Sequence, residues 1–175
     1  AHEINAAVAK AIEHISRKEN YCFVHQTGSA DEIFVEKAYH SRGIRCRVKP
    51  FFEEMASEYH RADLVICRAG ATTMAELSAI GIGAIFIPFP HAADDHQVKN
   101  ARVMESVGAA EIIFEKDLDP KKLAARIEFY ASNKKALSEM SSRAAKFGRP
   151  HASEAVVEES YRLIKARVPD KTPNT

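Results

Sequence analysis

The segment ADLVICRAGATTMAELSAIGIGAIFIPFPHAADDHQVKNA, residues 62–101, decides the fold, because it reads as strand, tight glycine turn, helix, strand and polar loop in succession. Residues 64–67 are apolar and partly β-branched, as a strand covered on both faces requires, and Gly70 interrupts them just before a helical pattern begins. In that order Ala71, Thr72 and Thr73 supply the first free backbone N–H groups of a helix whose dipole is positive at that end. Such an end attracts a phosphate, and Glu76, one turn further in, lies within reach of a ribose hydroxyl. The same order also describes an ordinary strand-to-helix turn of a doubly wound sheet, so the turn alone leaves both readings open.

Outward from this segment, helix and strand patterns alternate from the first residues to about Glu115. That alternation predicts an α/β fold, a doubly wound parallel sheet of Rossmann-like type with helices on both faces. A helix is expected over 3–17, with Ile4, Ala7, Val8, Ala11 and Ile12 on one apolar face, then a strand over 21–25 closed by Gln26, Thr27 and Gly28. A helix over 31–39 leads through Arg42 and Gly43 to a strand over 44–48, and 51–60 reads as a short helix. After Gly81 come a strand over 84–88, a polar loop, a helix over 95–107 and a strand over 110–114. From Asp119 the pattern is helical: Pro120 suits a first turn capped by Asp119, and further helices follow over 134–146 and 152–166. Residues 169–175 read as a disordered tail. A sheet of this kind normally starts on a strand and a glycine-rich loop, whereas this sequence opens on a helix. The usual strand order puts that first strand at the centre, so another segment or a partner chain is expected to supply it.

With 175 residues, 46% of them hydrophobic and 28% charged, the chain is expected to form one globular domain, or one domain with an appended helical tail. A net charge near +1 argues against broad electrostatic binding to nucleic acid, which needs a basic face. Cys22, Cys46 and Cys67 lie far apart, each in an apolar run, and read as buried thiols of a reduced compartment, not as a disulfide or zinc framework. No signal peptide is visible, and the longest apolar run, 79–89, is too short and glycine-broken to span a bilayer, which makes the cytoplasm the expected location.

CRAGATTMAEL, followed by PFPHAADDHQVKNA and VGAAEII, together with HQTG at 25–28, resembles the carboxy-terminal half of the MurG family. These bacterial transferases add N-acetylglucosamine to undecaprenyl-pyrophosphoryl-muramoyl-pentapeptide, the step from lipid I to lipid II in peptidoglycan synthesis. The resemblance covers nearly the whole chain and implies the carboxy-terminal half of a GT-B glycosyltransferase, whose two doubly wound domains face one another across a cleft. On that reading residues 1–150 are the UDP-sugar-binding domain without its first strand and glycine loop, the family's GGSQGA motif ending at Ala1. Residues 151–168 form a helix packing across the interdomain region, with the cations of Arg162, Lys165 and Arg167 in water, and 169–175 are the tail.

The resemblance also implies a site. Gly70, Ala71, Thr72 and Thr73 lie against the diphosphate and ribose, with Thr73 adding a hydroxyl donor, and Glu76 accepts from the ribose hydroxyls. Phe52 occupies the position whose backbone N–H and carbonyl read the uracil edge, the competing reading being that Phe51 or Phe52 fills the core. Arg68 approaches phosphate or sugar, against the alternative of a surface arginine. Gln97, with an amide donor and an acceptor, suits two adjacent sugar hydroxyls; Asn100 supports it one turn later, and His96 lies beside it. His25 and Gln26 brace the absent glycine loop. His91, Asp94 and Asp95 raise the thought of a metal, but the pattern is weak and the architecture works through helix ends and donors, so neither metal nor cofactor is expected.

The family inverts the sugar's anomeric centre, and its base belongs to the amino-terminal domain, so no catalytic base is assigned to this chain. The implied partners are UDP-N-acetylglucosamine and, through the other domain, the lipid-linked acceptor; no nucleic acid is expected. The intact enzyme is expected on the inner face of the plasma membrane as a peripheral protein. The alternative is a UDP-sugar-binding subunit, active only with a separate acceptor-binding chain. A UDP-N-acetylglucosamine 2-epimerase shares the architecture, but its motifs and acids are not found here.

Overall fold

The computed structural model describes residues 1–167. Its helices are α1 (His2–Ala11), α2 (Glu32–Ser41), α3 (Met55–Arg61), α4 (Ala71–Ile80), α5 (His96–Ser106), α6 (Pro120–Ser132), α7 (Lys134–Phe147) and α8 (Ala152–Arg167). Between them run strands β1 (Cys22–Gln26), β2 (Arg45–Lys49), β3 (Val65–Cys67), β4 (Ala84–Phe86) and β5 (Ala110–Ile112). The tail over 169–175 lies outside the described residues.

All pairing is parallel, in two groups: β1 with β2, and β3–β4–β5 with β4 in the middle. Among the described residues the second edges of β1 and β3 carry no strand partner. Ala84, Ile85 and Phe86 are all 0% exposed, which is why β4 is the apolar centre of its group. β1 and β2 differ, alternating exposed with half-buried positions. The residues Arg45, Arg47 and Lys49 already show that alternation, which marks a strand covered on one face only. The expectation of three buried thiols fails at Cys22 for the same reason, since it lies on the open face of β1 and is exposed, while Cys46 and Cys67 are partly covered and pack against the core. All three are free, and burial pushes the Cys67 thiol up to about 12.

The helix expected over 3–17 ends at Ala11. Ile12 and Ile15 still join the core with Ile4 and Val8, but Glu128 of α6 accepts from the Ser16 amide at 2.7 Å and from its hydroxyl at 2.5 Å, drawing the chain out of the helix. α6 is capped as the sequence predicts, Asp119 accepting from the Lys122 amide at 2.9 Å with Pro120 behind it. It is fastened to β5 where Arg126 forks onto Glu111 at 2.7 and 2.6 Å and the Tyr130 hydroxyl donates to the same carboxylate at 2.7 Å. α4 closes on Gly81, in the left-handed region at φ 81°, and packs against α7. That packing needs small residues, since a Cβ on Gly148 would overlap the carbonyl of Ser78. The side chains of α8 over 152–165 are exposed, including Val156, Val157, Tyr161, Leu163 and Ile164.

A polar network ties α1 to β1 and α2. Asn5 donates through Nδ2 to the Thr27 carbonyl at 2.9 Å and to Asp31 Oδ2 at 2.8 Å. Its Oδ1 is therefore the acceptor for His25 Nε2 at 3.0 Å, which leaves His25 Nδ1 to accept from the Tyr39 hydroxyl at 3.1 Å. Burial holds the imidazole neutral, lowering its pKa from 6.5 to about 4.

Two predictions test this packing. The unfolded chain binds a proton at His25 that the folded chain refuses, so stability should decline as pH falls from 6.5 toward 4, by up to about 1.4 kcal/mol per pH unit. Urea titrations should show a flatter pH dependence for His25→Gln across that window. Gly148→Ala keeps an allowed backbone but forces α4 and α7 apart, and its urea midpoint should report a loss of about 1–3 kcal/mol.

Candidate functional site

Four segments follow the carboxyl ends of strands. The turn 69–73 follows β3, the loop 87–95 follows β4 and leads into α5, and the ends of β1 and β2 run into 26–28 and 50–52. Gly70 is extended at φ −66° and ψ 146°, and its carbonyl accepts the first helical bond from Met74 at 2.9 Å. The amides of Ala71, Thr72 and Thr73 consequently have no acceptor among the described residues, and no side chain caps them. Ala71, Thr72 and Glu76 are exposed and Thr73 is half-buried, so this positive helix end opens outward. Nothing in the fold demands a glycine here: a Cβ on Gly70 would meet only the Thr73 hydroxyl, at 3.7 Å. What the absent side chain leaves is a bare surface against the free amides.

α5 is stitched to this turn. Asn100 donates through Nδ2 to the carbonyl of Ala69 at 3.1 Å, which leaves Oδ1 as its free acceptor. One turn earlier Gln97 accepts through Oε1 from the Phe89 amide at 3.0 Å. Because a backbone N–H can only donate, the Gln97 amide oxygen is the atom that faces Phe89, and its NH2 group is turned away from that amide. His96 is exposed, with Nδ1 turned back to the carbonyl of Ala93 at 2.8 Å. Asp94 and Asp95 sit in the left-handed region at φ 50° and 54°, a conformation that short polar side chains tolerate, and they set the entry to α5.

Arg68 is engaged within the protein. Nη1 donates to the carbonyls of Ile87 and Pro88, both at 3.1 Å, Nη2 bonds the Glu115 carboxylate, and Glu3 lies 3.8 Å away. Its side chain is 17% exposed and sits 5.3 Å from the Phe89 ring. Phe52 has a ring only 5% exposed beneath Arg47 and Lys49, at 5.1 and 5.8 Å. Its amide donates to Gln26 Oε1 at 2.9 Å, so its carbonyl is the group left open. His25 belongs to the internal network with Asn5, and Gln26 supports Phe52.

Glu115 and Glu3 were not legible as site-shaping residues, since each acts on Arg68 across a long sequence separation. Asn5 carried a signal, a lone amide on the apolar face of α1. Among the described residues no group of three His, Cys, Asp or Glu side chains is placed to hold a metal. None of their helices is long and apolar enough to cross a membrane.

The sequence model of the glycosyltransferase family 28 C-terminal domain matches residues 1–156. A Trichlorobacter lovleyi protein named UDP-N-acetylglucosamine–N-acetylmuramyl-(pentapeptide) pyrophosphoryl-undecaprenol N-acetylglucosamine transferase is 41% identical over 161 residues, covering 91% of this chain and 42% of its own length. The Syntrophus aciditrophicus protein of the same name is 43% identical over 166 residues, covering 94% and 46%. The crystal structure of Acinetobacter baumannii MurG aligns with a TM-score of 0.83 at 32% identity, over 93% of this chain and 46% of that one. CalG4, the calicheamicin glycosyltransferase, aligns at 0.63 with 15% identity over 97% of this chain and 40% of its own, a likeness of fold alone. The chain spans less than half the length of these relatives.

The Asn100 stitch has a direct test. Asn100→Asp replaces a donor by a charge facing the buried Ala69 carbonyl, and chemical denaturation should show a loss of about 1–3 kcal/mol.

Proposed function

The chain belongs to the glycosyltransferase family 28 C-terminal domain family, and from that membership we propose that it is the donor-binding half of an inverting N-acetylglucosaminyltransferase of peptidoglycan precursor synthesis. The observation that carries the reading is the turn 69–73, where three unpaired amides at a helix amino end adjoin a glycine whose side chain the fold itself has room for. A diphosphate laid on Gly70, Ala71, Thr72 and Thr73 takes those amides, with the Thr73 hydroxyl beside them. Glu76, exposed one turn along, accepts from the ribose, and the open carbonyl of Phe52 faces the uracil edge. Gln97 donates to the sugar, Asn100 accepts from it, and His96 lines the approach. Arg68 shapes this region from behind.

Transfer breaks the bond between the sugar and UDP through an oxocarbenium-like state, and the negative charge that develops falls on the diphosphate oxygens. Donors already in place at the α4 amino end stabilise that charge without reorganising. The acceptor is the lipid-linked muramoyl-pentapeptide, held with its base by an amino-terminal half; metal and cofactor have no part in this scheme. The free edges of β1 and β3 favour a further strand between them, and the uncovered apolar side of α8 favours packing against that other half. The intact protein then works as a peripheral enzyme on the inner face of the plasma membrane. A donor-binding subunit with a separate partner chain uses the same site, and supplying the other half in trans tests it.

Calorimetric titration should show saturable binding of UDP-N-acetylglucosamine in preference to UDP-glucose. Glu76→Ala should weaken it about tenfold, one charged hydrogen bond's worth. Gly70→Ala should remove binding while stability stays within about 1 kcal/mol. No binding by a folded sample, alone or with the amino-terminal half added, would sink the proposal.

A further inference from the structure

We infer that Arg68 is a positioning residue of the sugar subsite, fixing the polarity with which Gln97 faces the donor through the peptide unit that joins Pro88 to Phe89. The inference rests on the proposed role of Gln97 toward the sugar. Two observations keep Arg68 from serving as a phosphate contact. Its guanidinium is shared between two carboxylates, Glu115 in direct contact and Glu3 at 3.8 Å, so the local charge is negative overall and attracts no anion. Its Nη1 donors are spent on backbone carbonyls.

Those carbonyls explain what the residue does. Past the end of β4 the Ile87 amide still reaches Cys67 at 2.8 Å, and Pro88 has no amide. The carbonyls of Ile87 and Pro88 have no backbone donor among the described residues, and Arg68 satisfies both at 3.1 Å. The Pro88 carbonyl and the Phe89 amide belong to one rigid planar unit and point in opposite directions. Arg68 holds the oxygen side of that plane, and Gln97 Oε1 holds the N–H side at 3.0 Å. Turning the plane would aim a carbonyl at Gln97 and reverse its amide, so that oxygen, not NH2, faced the ligand. The guanidinium thereby keeps Gln97 a donor, opposite the free Oδ1 of Asn100 on the same side of α5. A sugar held here meets an NH2 group at Gln97 and, at Asn100, a carbonyl oxygen that nothing among the described residues engages.

The test uses this chain with Arg68→Met, which removes the grip, Arg68→Lys, which keeps the charge but loses the fork, and Gln97→Glu, which still accepts from Phe89 but cannot donate. In ligand-free protein, amide hydrogen exchange at Phe89 should quicken about tenfold in both Arg68 variants while the Ile113 amide, in the β4–β5 ladder, stays protected. Phe89 should remain protected in Gln97→Glu. Calorimetry should show that both Arg68 variants bind UDP within about twofold of the parent but lose about tenfold in the preference for UDP-N-acetylglucosamine over UDP, the worth of one neutral hydrogen bond. Unchanged exchange at Phe89, or a rise shared equally by Ile113, overturns the inference, the latter by showing a general structural role. A loss of UDP affinity as large as that for the sugar nucleotide overturns it too, by making Arg68 a phosphate ligand. If the parent chain binds neither nucleotide, the donor-site reading fails, and the exchange at Phe89 still decides whether Arg68 holds the peptide.

Discussion

Everything at the candidate site follows from the parallel pairing of β3, β4 and β5. Parallel neighbours must be joined by a crossover, so each helix begins at the edge of the sheet where its preceding strand ends. β3 therefore delivers the amino end of α4, and β4 delivers that of α5, to the same edge. β4, buried along its whole length, pairs in register with both of its neighbours. With the register set, the unpaired amides of the Gly70 turn and the side chains of the first turn of α5 stand side by side without any dedicated scaffold.

The edge so formed is rich in carbonyls and amides that have left the ladder, and long polar side chains satisfy them. Arg68 serves the end of β4, Asn100 the turn after β3, Gln26 the amide of Phe52, and Asn5 the carbonyl after β1. Each closes a backbone group that would otherwise be left unpaired away from water, at a cost of roughly 1–3 kcal/mol. At Asn100 and Gln97 the hydrogen bond to the backbone also fixes which way the side-chain amide faces. The orientation of the Gln97 amide is thus a by-product of backbone satisfaction, since its oxygen is turned to the Phe89 N–H. The open parts of the molecule contrast with this economy. Among the described residues the second edges of β1 and β3 have no strand partner, and the apolar side chains of α8 stay exposed.

Much of this was legible in the residues. The alternation of patterns, Gly70 before a helical period, Asp119 with Pro120 and Gly81 after Ile80 located the elements to within a few residues, because turn and cap chemistry is local. Helix α1 was overdrawn at its end, since the pull of Glu128 on Ser16 crosses more than a hundred residues and leaves no local trace. The cysteines were read as buried from their apolar neighbours, whereas the alternation of Arg45, Arg47 and Lys49 was the better guide to a one-sided pair of strands.

By itself the sequence determined the α/β class, the order of the elements, the family and the identity of the residues gathered around Gly70, because these depend on periodicity, on turn chemistry and on motifs that are contiguous in the chain. Only the tertiary structure decided what those residues present. The motifs picked out Arg68, Gln97 and Phe52 but left open which of their atoms were already engaged. That depended on Glu115, Glu3, Phe89 and Gln26, which reach them across the ends of the strands. A hydrogen bond has direction, so the partner already bound decides whether a side chain meets a ligand as donor or as acceptor.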